Sequence, residues 1–252
     1  MKTIRFSLCL LVLLGSAAFS QAANYDLPPG GQVIEIQPIQ SAKHPHRALM
    51  LWMLNPLTVP RDNPDDIYTC PEYTRGSHYS GPTRVSLVDP RAKTIINTIK
   101  ILNFEGHDTF DIPYRIESGH YYHVAGVPQG KEGKPTIMWL KDYNGDGKAG
   151  EFALFDAIAC MGLPTTLIGY SEARDRVIQY PVALTVIAGN QKSTRTALWV
   201  DYLFSQRQAS PGVWKYSIDY RGRAGTLDAY EVRYRPAEEK FSGQRISTAD
   251  GS

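Results

Sequence analysis

The sequence predicts an all-β protein, an antiparallel meander of hairpins arranged like a β-propeller or, alternatively, as a two-sheet β-sandwich. Three observations predict it. Beyond residue 31 the apolar stretches are short and rich in Val, Ile, Tyr and Thr, which suit a pleated, half-buried surface. Gly, Pro, Asn or Asp separate them, as turns require. A unit of strand, turn with acid and Arg, and strand also recurs, as propeller blades of about 40–50 residues would.

The elements follow in order. Residues 1–22 read as a secretory signal peptide. Lys2 and Arg5 supply the basic start, Phe6 to Leu14 the apolar run, and Ser20-Gln21-Ala22 a small-residue cleavage site. That run is too short to cross a bilayer as a helix, and no later stretch is longer, so no membrane insertion is expected. Residues 23–31 ("ANYDLPPGG") read as a flexible lead, 32–241 as one all-β domain, and 242–252 as a polar, frayed tail. Within the domain, "QVIEIQPI" (32–39) alternates like a half-buried strand. "RALMLWML" (47–54) is almost continuously apolar, as in a strand covered on both faces. Hairpins are expected near 83–102 around Pro90, over 166–184, and between "LWVDYLFSQ" and "VWKYSIDY" with a turn at Ser210-Pro211-Gly212. "EFALFDAIACMGLP" (151–164) suits a strand followed by a turn, or a short helix. "DAYEVRYR" (228–235) adds a last strand.

Charge narrows the partners. The chain has 27 basic and 25 acidic residues; loss of Lys2 and Arg5 with the leader leaves 25 against 25. A balanced chain argues against nucleic acid and anionic membranes as main partners. Export to the periplasm or beyond also sets the redox state. Cys70 and Cys160 remain after cleavage and are expected to form a disulfide. It would close a loop of about 90 residues, which chain entropy values at roughly 4–5 kcal/mol at most.

The densest chemistry is "DYNGDGKAGE" (142–151). Asp142, Asn144 and Asp146 place oxygen side chains at alternate positions, and Gly147 permits the turn that brings the Lys148 carbonyl round. Calcium takes six to eight oxygens at about 2.3–2.6 Å, so such a loop can wrap one ion. An EF-hand would need a glutamate at loop position 12, where Ala153 stands. "KDYNGDGKAGEFALFD" instead resembles the Asp-x-Asn-x-Asp-Gly calcium loops that join strands in FG-GAP and VCBS-type propeller blades. The likeness covers about 15 residues. It implies side-chain ligation by Asp142, Asn144 and Asp146 and backbone ligation by Lys148. Those families place an aspartate at position 9, here Gly150, so Glu151 is assigned the closing role from this sequence alone. The competing reading is a metal-free Asn-Gly/Asp-Gly turn. Calcium so bound is expected to be structural, because an all-oxygen shell is poor at making hydroxide.

Other signals are weaker. His44 and His46, or His120 and His123, could pair on a transition metal, although Pro45 disturbs the first pair. Asp62, Asp65 and Asp66 fit an acidic turn. Gly-x-Ser-x-Gly, Ser-x-x-Lys and phosphate-loop motifs are absent. Glu105, Asp108, Asp111 and Glu117 lie densest among His and Tyr. Trp139, Tyr143 and the Tyr/Arg run "DYRGRAGTLDAYEVRY" suggest a face for glycan or for another exported protein. The expected function is a calcium-stabilised binding or structural module, with a polysaccharide hydrolase as the alternative.

Overall fold

The computed structural model describes residues 25–59, 78–112, 137–156, 162–221 and 225–249. Fifteen strands are described: β1 (Gly31–Pro38), β2 (Ala48–Leu54), β3 (Leu57–Val59), β4 (His78–Asp89), β5 (Thr94–Ile101), β6 (Thr109–Ile112), β7 (Glu151–Phe155), β8 (Pro164–Ser171), β9 (Arg176–Gln179), β10 (Val182–Ala188), β11 (Gln191–Ala197), β12 (Val200–Asp201), β13 (Val213–Asp219), β14 (Leu227–Arg235) and β15 (Lys240–Thr248). The all-β expectation holds. The strands form three sheets of six, four and five strands that differ in order, rather than repeating as equal blades. Sheets stacked face to face follow the sandwich alternative.

The first sheet runs β1-β2-β4-β3, with β5 and β6 also on β4. The small sheet runs β12-β8-β7, with β9 on β8. The third runs β11-β10-β15-β14-β13; every pairing in it is antiparallel except β10 with β15. The small sheet is the middle layer. Phe152, Leu154, Ile168 and Tyr170 join Leu49, Leu51, Val85 and Leu87 of the first sheet in one core. Ala153 and Leu167, from the opposite face, join Val182, Trp214, Val232 and Phe241 of the third sheet in another. Burial on both faces explains why every residue of β8 is buried.

β2 is covered twice for a related reason. Leu49, Leu51 and Met53 face the middle layer, whereas Ala48, Met50 and Trp52 meet Tyr25 and Leu27 on the outside. The lead peptide is therefore no loose arm: Tyr25 is buried and closes that outer cluster. The tail expectation also needs correction, since residues 242–248 lie in β15, between β14 and β10. Apolar periodicity at 242–248 is weak because Ser242, Gln244 and the exposed Ile246 occupy the open sheet face.

The hairpin over β4 and β5 forms as expected; Asp89 Oδ1 accepts the Arg91 and Ala92 N–H groups and caps the turn. The 166–184 hairpin is cut short. β9 ends before Tyr180-Pro181, and β10 crosses to the third sheet, because Pro181 has no N–H to continue the ladder. The third expected hairpin does not form. β12 pairs with β8, Leu203–Ser205 is a 3₁₀ turn, and β13 pairs with β14. The 151–164 segment opens as strand β7, favouring strand over helix across 151–155. Among the described residues no helix is long and apolar enough to cross a membrane.

Candidate functional site

The 142–150 loop is pinched at its base. Lys141 and Glu151 exchange both backbone hydrogen bonds (2.8 and 3.2 Å), so the loop closes on itself where β7 begins. Tyr143 anchors it in the core, stacked on Trp214 (6.3 Å between centroids) and edge-on to Phe204 (6.1 Å). A second turn locks it from outside. Gln208 Nε2 donates to the Asp142 carbonyl (2.7 Å), and its Oε1 accepts from Gly212 N (2.8 Å). Gly145 lies so close to that turn that a Cβ would fall 2.8 Å from the Pro211 carbonyl carbon. Its φ of +80° also favours glycine.

Inside the loop the predicted ligands gather round backbone donors. Asp142 Oδ1 accepts from Gly145 N (2.7 Å) and Asp146 N (3.1 Å), and its Oδ2 from Gly147 N (2.9 Å). Asn144 Oδ1 accepts from Asp146 N (2.8 Å), and Asp146 Oδ1 from Lys148 N (2.8 Å). The Lys148 carbonyl accepts from Gly150 N (3.1 Å). Its ammonium reaches away to Glu172, which also accepts from Ser41 Oγ (2.8 Å). These partners hold Glu172 well below its ordinary range, at about 2, with Lys148 the larger cause.

Glu151 lies beneath the loop, 2% exposed. Its Oε2 accepts from Tyr143 N (3.0 Å) and Asn144 N (3.4 Å), and its Oε1 from Asn144 Nδ2 (3.0 Å). Burial pushes its carboxyl up to about 8; the two N–H bonds oppose this, and the charges of Asp146 and Asp142 add to it. No Lys or Arg among the described residues forms an ion pair with it.

The donor chemistry suits a hard cation: three carboxylates, an amide oxygen and a backbone carbonyl within ten residues. The conformation is an Asx-turn loop rather than a closed shell. Among the described residues no three His, Cys, Asp or Glu side chains converge to hold a metal ion. The physical reason is local: Asp142, Asn144, Asp146 and the Lys148 carbonyl each accept from an N–H of the same loop.

The remaining candidates fare differently. Cys70 and Cys160, His120 and His123, Asp62, Asp65 and Asp66, and Glu117 lie outside the described residues. His44 Nδ1 lies 3.8 Å from Asp175, beside the Arg47 that ties Asp175 to Asp89. Asp108 is held by Arg84 (2.9 Å) and Lys100 (3.1 Å), which lower its pKa, while Glu105 is solvated beside His107. The aromatic hint resolves into core packing. Tyr143 and Tyr230 are buried, and Tyr216 and Tyr230 stack on each other at 4.5 Å. Trp139 is half-buried, with the Lys141 ammonium 5.8 Å from its ring centre.

Two features escaped the sequence reading. One is the docking of the 208–212 turn on the loop: the sequence predicts a turn at Ser210-Pro211-Gly212, but nothing in it marks a contact with residues 142–145. The other is a pair of acids, one buried and one half-buried: Asp228 is 5% exposed and accepts from Thr226 Oγ1 (2.7 Å), and Asp201 is pushed up by desolvation, with Asp228 adding to the rise. Arg245 lies 3.7 Å from Asp228 and lowers Asp201. The signal available was weak: Asp228 sits at an inward position of β14, whose other inward residues are Tyr230, Val232 and Tyr234. No family model, no curated protein and no solved structure matches this chain.

Proposed function

We propose that this chain is an exported all-β binding or structural module whose 142–151 loop takes calcium through Asp142, Asn144, Asp146, the Lys148 carbonyl and Glu151. One observation carries the reading. Glu151 is a buried carboxyl group with no basic partner among the described residues, roofed by a loop that brings two further carboxyl groups and an amide. A buried charge is costly unless paired or bound to metal. The resemblance to strand-joining calcium loops points the same way. Calcium would supply charge compensation and rigidity; the chain's own part is to present the oxygens and to tie the loop to the 208–212 turn and to Glu172. The Cys70–Cys160 disulfide and removal of residues 1–22 belong to the same proposal, since both follow from export.

A calorimetric calcium titration of the purified protein tests it, with melting curves recorded in calcium and in EDTA. Binding with a raised melting temperature is expected, because a ligand that binds only the folded state stabilises it. Asp146→Ala should remove both. Absence of calcium heat together with superimposed melting curves overturns the proposal.

A further inference from the structure

The outer face of the third sheet carries a separate feature. Inward residues of this sheet fill the second core, and the alternation of strands sends the others to the opposite side. Register places those outer side chains in rows across the strands. One row is Thr194, Thr185, Gln244, Glu231 and Lys215. The next holds Thr196, Ala183, Ser242 and Arg233. On the far side lie Lys192, Ile187, Ile246 and Ala229. The face curves into an open groove of about 540 Å³.

The groove has basic rims and a floor in which hydroxyl and amide groups alternate with Ala183 and Ile187. Thr185, Thr194, Ser242 and Gln244 supply hydroxyls and an amide along the floor. Lys192 stands on one side, and Arg233 and Arg235 on the other. Lys192 on β11 and Arg233 on β14 are separated by three strand spacings across the sheet, about 14 Å, and by four residues along it. Lys215 adds a fourth positive charge. Glu231 is the acid of the groove, shared between Arg233 (2.9 Å) and Lys215 (3.4 Å). Asp219, at the end of β13, is matched by Arg221. Lys192 forms no ion pair among the described residues. The balanced overall charge of the processed chain thus conceals a local positive excess, and a concave positive surface concentrates anions.

We infer that this groove binds an acidic polysaccharide, a chain whose repeating sugars carry carboxylate or sulfate. The floor decides among anionic polymers. Apart from Ala183 and Ile187, the floor side chains are hydroxyl or amide groups able to bond sugar hydroxyls, and no aromatic ring lines the groove, so charge and hydrogen bonding rather than ring stacking would select the ligand. Without rings, nothing stacks nucleic-acid bases. A peptide would call for an unpaired edge or pockets for alternate side chains; the floor strands β10, β15 and β14 are all paired on both sides. A concave surface does not lie flush on a bilayer. The span between the rims favours a polymer over a single sugar.

The inference rests on the binding-module reading but shares no residue with the 142–151 loop, so the two can fail separately. The experiment measures binding of the purified protein to polygalacturonate, dextran sulfate, neutral dextran and poly-glutamate, at low and physiological salt. Polygalacturonate or dextran sulfate is expected to bind, which of them telling carboxylate from sulfate; neutral dextran is not. Added salt should weaken the complex, since exposed charges are screened. The triple variant Lys192→Gln/Arg233→Gln/Arg235→Gln should bind about tenfold more weakly or worse, with an unchanged melting curve. Should that variant melt early, Lys192→Glu alone, on the exposed edge strand, must show the same loss. Binding should persist in EDTA. The inference is overturned if neither acidic glycan binds, if the variants bind as the parent does, or if poly-glutamate binds as tightly as the glycans.

Discussion

At the scale of single residues, Glu151 concentrates the chemistry. Its carboxyl is buried and pushed up from 4.5 to about 8, so the ion-free fold holds it protonated at neutral pH and loses stability as pH rises from 4.5 toward 8. Gln at this position keeps an acceptor for the Tyr143 and Asn144 N–H groups and removes the charge. Glu151→Gln is therefore expected to melt at or above the parent temperature in EDTA and, under the proposed calcium site, to gain no stability from added calcium. Paired melting curves decide it; a variant that retains the calcium increment shows that Glu151 is no ligand. The two loop glycines differ in the same testable way. Gly145 and Gly147 both have positive φ, +80° and +84°, which costs a residue with a Cβ about 1–2 kcal/mol. A Cβ at Gly147 meets nothing within 4 Å, whereas at Gly145 it collides with the Pro211-Gly212 backbone. Gly145→Ala should thus be clearly more destabilising than Gly147→Ala in denaturant titration, and equal losses would show that the two turns do not interlock.

At the scale of elements, the loop is held by what lies beside it. Lys148 joins it to Glu172 in the β8–β9 turn, and Ser41 joins the same carboxylate to the segment before β2. Glu172 titrates near 2 in the folded chain against an ordinary value of 4.5. The folded pKa is depressed, so its stabilising contribution is present above pH 4.5 and is lost as pH falls toward 2. Acid unfolding of the parent should be steeper across that window than that of Glu172→Gln. Coincident profiles would assign acid sensitivity elsewhere, for example to Asp108 and Asp175, which are also lowered by basic partners. The elements themselves were legible where a single strand explains the pattern. "RALMLWML" became β2, covered on both faces, and "DAYEVRYR" became β14 with Tyr inward and Arg outward. Partner choice was not legible. Pro181 reads as a mere interruption of a hairpin, yet it is where the chain leaves one sheet for another.

At the scale of the molecule, three stacked sheets make β15 indispensable. It pairs with β14 on one side and runs parallel to β10 on the other, and Phe241 contacts Trp214, Phe204 and Tyr234 at 5.1–5.5 Å between ring centres. A chain ending at Glu239 would expose the inner face of two strands and lose this ring cluster. It is expected to lose cooperative melting altogether, read by near-ultraviolet circular dichroism; a cooperative transition in the truncated chain would show that residues 240–248 are dispensable. Phe241→Ala is the milder version, expected to cost about 3–5 kcal/mol.

The sequence by itself determined that the chain is built of strands, where most of them run, and which ten residues carry the densest oxygen chemistry. These are local properties, written in residue type, alternation and turn chemistry. Only the tertiary structure decided that the small sheet is a middle layer, that the polar last residues form a central strand, and that Tyr alternating with Arg sends rings to a core and cations to a groove. Those outcomes depend on which faces meet, and pairing between segments distant in the chain leaves no periodic mark in either one.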